Sequence, residues 1–203
     1  MKKQIIRSIL VGGGISIVGA GALAVPAVFA LPSASTNTTV NAVIAPTISI
    51  NSSGTVNLAI TPTSSGSATS ASDTVSVSTN DSAGYALTIS SSSGTTTLVN
   101  GGNSIAASAN TFASPGTLLN NTWGWRIDGA GTFGAGPTSA QTNAASLSGT
   151  WAAMPANTSP ATVKTTATTA TNDTTTVWYG AMADTTKPSG TYAGTVTYTA
   201  TGN

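Results

Sequence analysis

The sequence predicts an all-β fold, a single antiparallel β-sandwich of Ig-like or jelly-roll-like type that follows an N-terminal signal helix. Apolar and polar residues alternate with a period of two in several short segments, as they do in strands that bury one face. Clusters of Gly, Ser, Asn and Pro separate these segments at short intervals. After residue 30, no segment repeats its apolar residues with the 3.6-residue period of a helix.

The clearest pair of strands lies at residues 74–79 and 85–90, on either side of the turn residues 80–84, and predicts a β-hairpin. Two long segments rich in Ser, Thr, Gly and Ala, residues 61–72 and 128–149, are expected to be loops. The other predicted strands are residues 40–44, 47–50, 55–60 and 95–99, a short stretch around Ile105, and residues 122–127, 163–170, 176–182 and 191–200.

Aromatic residues make up 5% of the chain, so they and the branched aliphatic residues must together supply most of the core. On each predicted strand, the apolar side of the alternation is assigned to the interior because a half-buried strand turns that side inward. The predicted core residues are Val75, Val77, Tyr85, Leu87, Ile89, Trp125, Ile127, Trp178, Tyr192, Val196 and Tyr198.

Residues 1–30 have the three parts of a secretory signal peptide. A positively charged start is followed by an apolar stretch over residues 9–25, and Val28 and Ala30 place small residues at positions −3 and −1 of a cleavage site. We therefore predict cleavage after Ala30. The segment could instead remain as a membrane anchor, although about 17 apolar residues are short for a span.

A type IV pilin leader, cut near Gly14, is a second alternative for the N-terminal segment. The absence of Glu from the chain and the early Pro26 both argue against it. Residues 31–39, rich in Ser, Thr and Asn, are expected to be a mobile tail, and residues 40–203 are expected to form the single surface domain.

Charged residues make up 5% of the chain, far below the roughly 25% of an ordinary soluble domain. This deficit favours a protein that works outside the cell. Lys2, Lys3 and Arg7 lie in the predicted signal peptide, and without them three basic residues face five Asp. Since no basic patch remains, we expect no nucleic-acid partner, and membrane contact only through the signal segment before cleavage.

The chain contains neither His nor Cys, and its acidic residues are all Asp. Disulfides, thiolate or imidazole metal sites and the usual Ser–His and Cys–His nucleophiles are therefore impossible. The Asp residues stand beside turn residues, where their side chains stabilise turns. We expect no enzymatic activity, no cofactor and no metal. An intramolecular Lys–Asn isopeptide bond at Lys164 or Lys187 stays open as an alternative.

Two tryptophans are candidate contacts for a ligand or partner. Trp123 and Trp125 point to opposite faces of one predicted strand, so one of them faces outward or lies under a loop. Trp151 stands near the end of a long predicted loop. Because aromatic rings can stack on sugars, Trp123 and Trp151 are the residues that we assign to a possible glycan or protein contact.

Three segments carry a resemblance to a known family: residues 74–89, the Trp123-Gly124-Trp125 triplet, and residues 190–198. Together they resemble the WxL-like surface β-sandwich proteins of Gram-positive and Saccharibacteria-type bacteria, over about residues 40–203. Trp125 replaces the Leu of the family's first motif, or Trp125 to Ile127 stands in for the motif, and Tyr198 occupies the place of a usual Trp. The resemblance implies a β-sandwich that attaches non-covalently to peptidoglycan.

These observations predict an exported, non-enzymatic protein of the cell surface or cell wall, with a structural or binding role. Its expected partners are peptidoglycan or another surface glycan, further copies of itself, or other surface proteins. The alternative is an adhesin or a filament subunit, as in a pilus or surface layer. In that case exposed strand edges, at residues 40–50 or 191–200, would pair between subunits.

Overall fold

The computed structural model describes residues 31–136 and 139–203. The predicted signal peptide, with its cleavage site at Ala30, lies outside these residues. In the described ranges the protein is all-β, with ten strands in two sheets. The same ranges hold no helix that is long and apolar enough to cross a bilayer.

The strands are β1 Ile48–Asn51, β2 Ser67–Thr79, β3 Tyr85–Ser91, β4 Leu98–Asn100, β5 Asn103–Ala107, β6 Thr122–Ile127, β7 Gln141–Ala144, β8 Ala161–Thr165, β9 Ala170–Ala183 and β10 Val196–Gly202. Seven strands form the first sheet, a curled half-barrel with the order β1-β2-β9-β6-β5-β4, and β7 also pairs with β2. The second sheet has the order β10-β3-β8.

One pair of strands departs from the predicted antiparallel arrangement. β5 and β6 run parallel, with Ala106 opposite Thr122 and Ala107 opposite Trp123. A parallel pair needs a long connection that returns the chain to the same end of the sheet. Residues 108–121 supply that connection, and the prediction of purely antiparallel pairing is therefore wrong at this point.

The predicted hairpin at residues 74–90 is not formed, although both of its strands are present. β2 pairs with β1, β7 and β9, whereas β3 pairs with β8 and β10, so residues 80–84 carry the chain from one sheet to the other. Gly84 makes this crossing possible, since its φ is +83° and a Cβ there would lie 2.4 Å from the Thr166 carbonyl oxygen. Both strands direct their apolar residues into a shared interior.

The main core contains residues from both sheets. Of the predicted core residues, eight are buried, and Tyr192, Val196 and Tyr198 are partly buried against them. A second, smaller cluster surrounds Trp151 and contains Ala68, Leu118, Leu147, Trp178 and Met182. The prediction that the few aromatic residues supply the core is confirmed for Trp125 and Trp178, which are 0% and 6% exposed.

Two predicted strands near the N-terminus are absent. Residues 40–44 form no strand, and Val40, Val43 and Ile44 are 87%, 94% and 84% exposed. Residues 55–60 are also outside the ladders, although Val56, Leu58 and Ile60 pack against the main core at alternate positions. Their alternation correctly indicates which side chains turn inward. The segment lies beside β2, where the Thr69 hydroxyl donates to the Ala59 carbonyl oxygen at 2.8 Å, but it forms no ladder with that strand. The compact unit that contains all ten strands runs from Val43 to Asn203.

Candidate functional site

Both tryptophans singled out as contact residues lie inside the fold. Trp123 is 4% exposed, and its indole Nε1 donates a hydrogen bond to the Thr96 carbonyl oxygen at 2.9 Å. It therefore lies beneath the segment that precedes β4. Trp151 is fully buried and donates to the Ser148 carbonyl oxygen at 3.2 Å. Both rings are buried, and both indole N–H groups donate within the fold. The predicted sugar contact at either residue therefore gains no support from this arrangement.

An aromatic cluster fills one end of the main core. Trp125 stacks on Phe112 with ring centroids 5.5 Å apart, and Phe133 meets the Trp125 ring edge-on at 5.3 Å. The Trp125 indole donates to the Ala153 carbonyl oxygen at 2.9 Å. Such offset and edge-on contacts add to the free energy gained by burial. The cluster fixes the loop that carries Phe133 against β6.

Arg126, the next residue on β6, is a fully buried cation. Its Nε donates to Asp128 Oδ1 at 3.1 Å, and its Nη1 donates to the Thr150 carbonyl oxygen at 3.2 Å. Its Nη2 reaches the carbonyl oxygens of Phe133 and Gly134, both at 3.3 Å. The guanidinium carbon also lies 5.8 Å from the Phe133 ring centroid, within the range of a cation–π contact.

The Arg126 contacts join β6 to the Gly-rich segment that follows it and to Thr150, which lies beyond β7. Sequence reasoning missed this residue. The available signal was its position, since Arg126 is the one Arg outside residues 1–30 and stands in an otherwise uncharged strand. A charged residue within a buried strand is rarely tolerated unless it is paired. Arg126 therefore has a structural role, because one carboxylate and three carbonyl groups hold its guanidinium.

A second polar cluster lies between the two sheets. Asp73 on β2 is 5% exposed and accepts hydrogen bonds from the Ser53 amide, at 2.9 Å, and from the Ser53 hydroxyl. Nearby, the hydroxyls of Tyr179 on β9 and Tyr198 on β10 lie 2.5 Å apart. Burial raises the pKa of Tyr179, and burial, Tyr179 and Asp73 together raise the pKa of Tyr198. Phenols with raised pKa values stay protonated and serve as hydrogen-bond donors, not as bases.

A third cluster links β8, β9 and β3. Lys164 Nζ lies 2.6 Å from Asp173 Oδ1, and the Tyr85 hydroxyl donates to Asp173 Oδ2 at 2.8 Å. The hydrogen bond from Lys164 lowers the pKa of Asp173, whereas burial and then the contact with Asp173 raise the pKa of Tyr85. Lys164 thus faces a carboxylate and not an Asn amide. Lys187 Nζ donates to the Ser104 carbonyl oxygen at 2.7 Å, so neither Lys contact matches the isopeptide alternative.

Turn formation accounts for the two remaining Asp residues. Asp81 accepts a hydrogen bond from the Ala83 amide at 2.9 Å. Asp184 accepts from the amide and the hydroxyl of Thr186, and these bonds lower the pKa of Asp184. Asp73 and Asp173 lie within strands, where the sequence had indicated turns. In the part of the chain that the structure describes, no three acidic residues converge as metal ligands.

The surface near β1 carries a shallow groove of about 300 Å³. Its walls come from β1, the end of β2 and the start of β9, and most of its side chains are hydroxyls and amides. The lining residues are Thr47, Ile48, Ser49, Ser78, Thr79, Asn80, Ala170 and Thr171. Such a lining can exchange hydrogen bonds with a hydroxylated ligand, but it contains no group that could act as a general base at neutral pH.

Comparison with family models, with curated proteins and with solved structures finds no match to this chain. The function is therefore argued from the residues themselves. They form three polar clusters that hold strands, sheets and loops together, and a hydroxyl-rich surface.

Proposed function

We propose that this chain is an exported, non-enzymatic protein of the cell surface or cell wall, with a structural or binding role. One observation carries the proposal. All eight charged side chains of the described residues make hydrogen bonds within the fold: Asp73, Asp81, Arg126, Asp128, Lys164, Asp173, Asp184 and Lys187. The charges of the described residues thus contribute to the architecture of the fold.

The chemistry of these groups supports a structural role. A general base needs a pKa near the working pH and a position beside a reacting group. Asp173 has a lowered pKa and is bonded to Lys164 and Tyr85, and the tyrosines of the inter-sheet cluster have raised pKa values. Each of these groups is therefore held in the protonation state that stabilises its own contact.

The composition and the leader pattern support a location outside the cell. Residues 1–30 have the charge, apolar stretch and small residues of a secretory signal peptide. The remaining surface relies on Thr, Ser and Asn, which interact with water and with sugars without charge. The resemblance to WxL-like proteins favours peptidoglycan or another surface glycan as the partner, bound without a covalent link.

We also propose that the two sheets form an Ig-like or jelly-roll-like sandwich. The main core takes residues from both sheets, and residues 80–84 cross from one to the other. Sandwiches of this kind bury the inner faces of two packed sheets. The parallel β5–β6 pair is a local departure from that plan.

Fractionation of the producing cells tests the proposed export. The protein is expected in the medium or the wall fraction, and mass spectrometry is expected to find Leu31 at its N-terminus. Ala30→Phe should block cleavage, whereas Phe29→Leu, at the tolerant position between the two small residues, should not. Uncleaved wild-type protein in the cytosol would overturn the proposal.

Binding to purified peptidoglycan tests the proposed wall partner. The cell-derived protein should sediment with peptidoglycan sacculi to a greater extent than an unrelated secreted domain of similar size and charge. Equal retention of the two proteins would count against a wall ligand while leaving export intact.

A filament or adhesin subunit is the second candidate function. The exposed apolar side chains of Val40, Val43 and Ile44 favour it, because such side chains usually mark an interface.

A further inference from the structure

A β-bulge shapes the groove beside β1. The register of β2 and β9 shifts between Val77 and Thr79, and Asn172, which lies at the shift, has a φ of +49°. Bulges bend a strand and redirect its side chains, and they are frequent next to active sites. Ala170 and Thr171 lie at this bend and line one side of the groove. The groove is therefore a product of the local backbone geometry.

Hydrogen bonds hold the other side of the groove in place. The Thr79 hydroxyl donates to the Thr47 carbonyl oxygen at 2.8 Å. Asn80 Oδ1 accepts from the Thr47 amide at 2.6 Å, and Asn80 Nδ2 donates to the Ala45 carbonyl oxygen at 3.0 Å. Because these bonds form the groove before a ligand binds, they reduce the entropic cost of binding.

The groove presents hydrogen-bonding groups that the fold does not use. Ser49 on β1 and Thr171 on β9 are exposed, and among the described residues their hydroxyls have no partner. A carbamoyl NH₂ has two donors, so Asn80 keeps one N–H after its bond to the Ala45 carbonyl oxygen. Ile48, which is 41% exposed, adds apolar surface beside these groups. A few placed polar groups next to apolar surface are typical of small-ligand sites.

The electrostatics of the groove favour a neutral ligand. None of the lining residues is charged. The residues that directly follow Asn80 and Asn172 are Asp81 and Asp173, so the charges closest in sequence are acidic. Like charges across an interface oppose binding, which disfavours an anionic polymer. A neutral ligand with hydroxyl and amide groups avoids this repulsion.

We propose that the groove binds a neutral N-acetylated sugar, as an N-acetylhexosamine unit of a glycan. The unused Asn80 N–H donates to the acetamido carbonyl oxygen, and Ile48 contacts the acetamido methyl group. Ser49 and Thr171, on the two sides of β2, exchange hydrogen bonds with the ring hydroxyls. The volume of about 300 Å³ lies at the lower end of the range for ligand sites. This inference rests on the proposed function, because it narrows the proposed glycan partner to one class of sugar.

A titration followed by amide NMR shifts tests the ligand. The protein is purified from whichever cell fraction contains it, and the probe is chitotetraose, a neutral tetramer of N-acetylglucosamine. Cellotetraose is the matched control, since it has the same β-1,4-linked rings without the acetamido groups, and tetragalacturonate is the anionic control. Chitotetraose should bind about tenfold more tightly than either control. The largest shifts are expected at residues 47–49, 78–80 and 170–172.

Paired substitutions test the groove. Ser49→Ala combined with Thr171→Val removes both unused hydroxyls and leaves the bonds of Thr47 intact. The affinity for chitotetraose should fall about tenfold, because two hydrogen bonds to the sugar are lost. Thr199→Val combined with Thr201→Val removes two exposed hydroxyls from β10 in the other sheet and should leave the affinity unchanged.

The outcomes separate this inference from the proposed function. Equal affinities for chitotetraose and cellotetraose would overturn the N-acetyl assignment, and equal losses in the two variant pairs would overturn the assignment to the groove. An exported protein that does not bind chitotetraose would contradict this inference and leave the proposed function standing. Uncleaved protein in the cytosol would instead count against the proposed function itself.

Discussion

Replacing Arg126 with Met gives the most demanding test of the architecture. Met keeps an unbranched apolar stem like that of Arg and is uncharged, so the substitution preserves packing along the stem but removes every hydrogen bond of the guanidinium. The carbonyl oxygens of Thr150, Phe133 and Gly134 then lose a donor, and Asp128 loses its cation. Breaking a buried ion pair from one side costs about 3–5 kcal/mol.

The position of Asp128 places the expected cost at the lower end of that range. Its side chain is 31% exposed, so water can rehydrate the carboxylate after the cation is removed. We therefore expect the free energy of unfolding to fall by about 3 kcal/mol. For a chain of this size, that corresponds to a decrease in Tm of about 6–12 °C. Arg126→Lys should lose much of the same energy, because an ammonium cannot reproduce the planar set of donors.

Urea unfolding followed by tryptophan fluorescence and circular dichroism measures this cost. Lys164→Met is the matched control, since Lys164 forms the other ion pair, with side chains 30% and 29% exposed. A pair this exposed contributes about 1 kcal/mol or less. An Arg126→Met loss no larger than that of Lys164→Met would refute the claim that Arg126 holds the loop to β6.

Three further outcomes follow from close contacts, a buried carboxylate and the tyrosines. Gly124→Ala should destabilise the fold by about 1–3 kcal/mol, because its Cβ would lie 2.5 Å from the Ala152 carbonyl oxygen, whereas Gly102→Ala, with open space around it, should be nearly neutral in urea unfolding. Asp73→Ala should lower the free energy of unfolding by about 1–3 kcal/mol, because Ser53 is left without its acceptor. This loss should exceed that of Asp81→Ala, which lies at an exposed turn. Equal losses would contradict a structural role for the inter-sheet cluster. Because the pKa values of Tyr179 and Tyr198 are raised in the folded state, their contribution to stability is complete below pH 10 and is lost as the pH rises further. Tyrosinate absorbance should therefore develop above pH 10 and together with unfolding. Full ionisation of the tyrosines near pH 10 with the sheets intact would refute this expectation.

The sequence predicted the strands that have a clear alternation of large apolar residues. β3 and β6 lie almost where the pattern placed them, because Tyr, Leu, Ile and Trp mark the buried side unambiguously. The first half of β2 and the whole of β7 were assigned to loops. Their residues are mainly Ser, Ala, Thr and Asn, and such small neutral residues reveal neither a period nor a face. Pairing with β9, a partner about a hundred residues away, makes the first half of β2 a strand.

The candidate site was less predictable than the strands. Trp123 and Trp151 are predicted as possible ligand or partner contacts, yet Trp123 lies beneath the segment that contains Thr96 and Trp151 lies inside the smaller core cluster. Residues 74–90 show the same limit, since two good strands and a turn are equally compatible with a hairpin and with a crossing between sheets. Local pattern determines which side chains turn inward, but the choice between these two topologies depends on which other strands compete for each edge.

The scarcity of charge determines where the few charged side chains are used. With eight charged side chains in the described ranges, and all of them bonded within the fold, few remain to keep strand edges apart. A soluble protein usually guards such an edge with Lys. Here Lys164 lies on β8 and is bonded to Asp173, while β10 has neutral Thr residues on its exposed face.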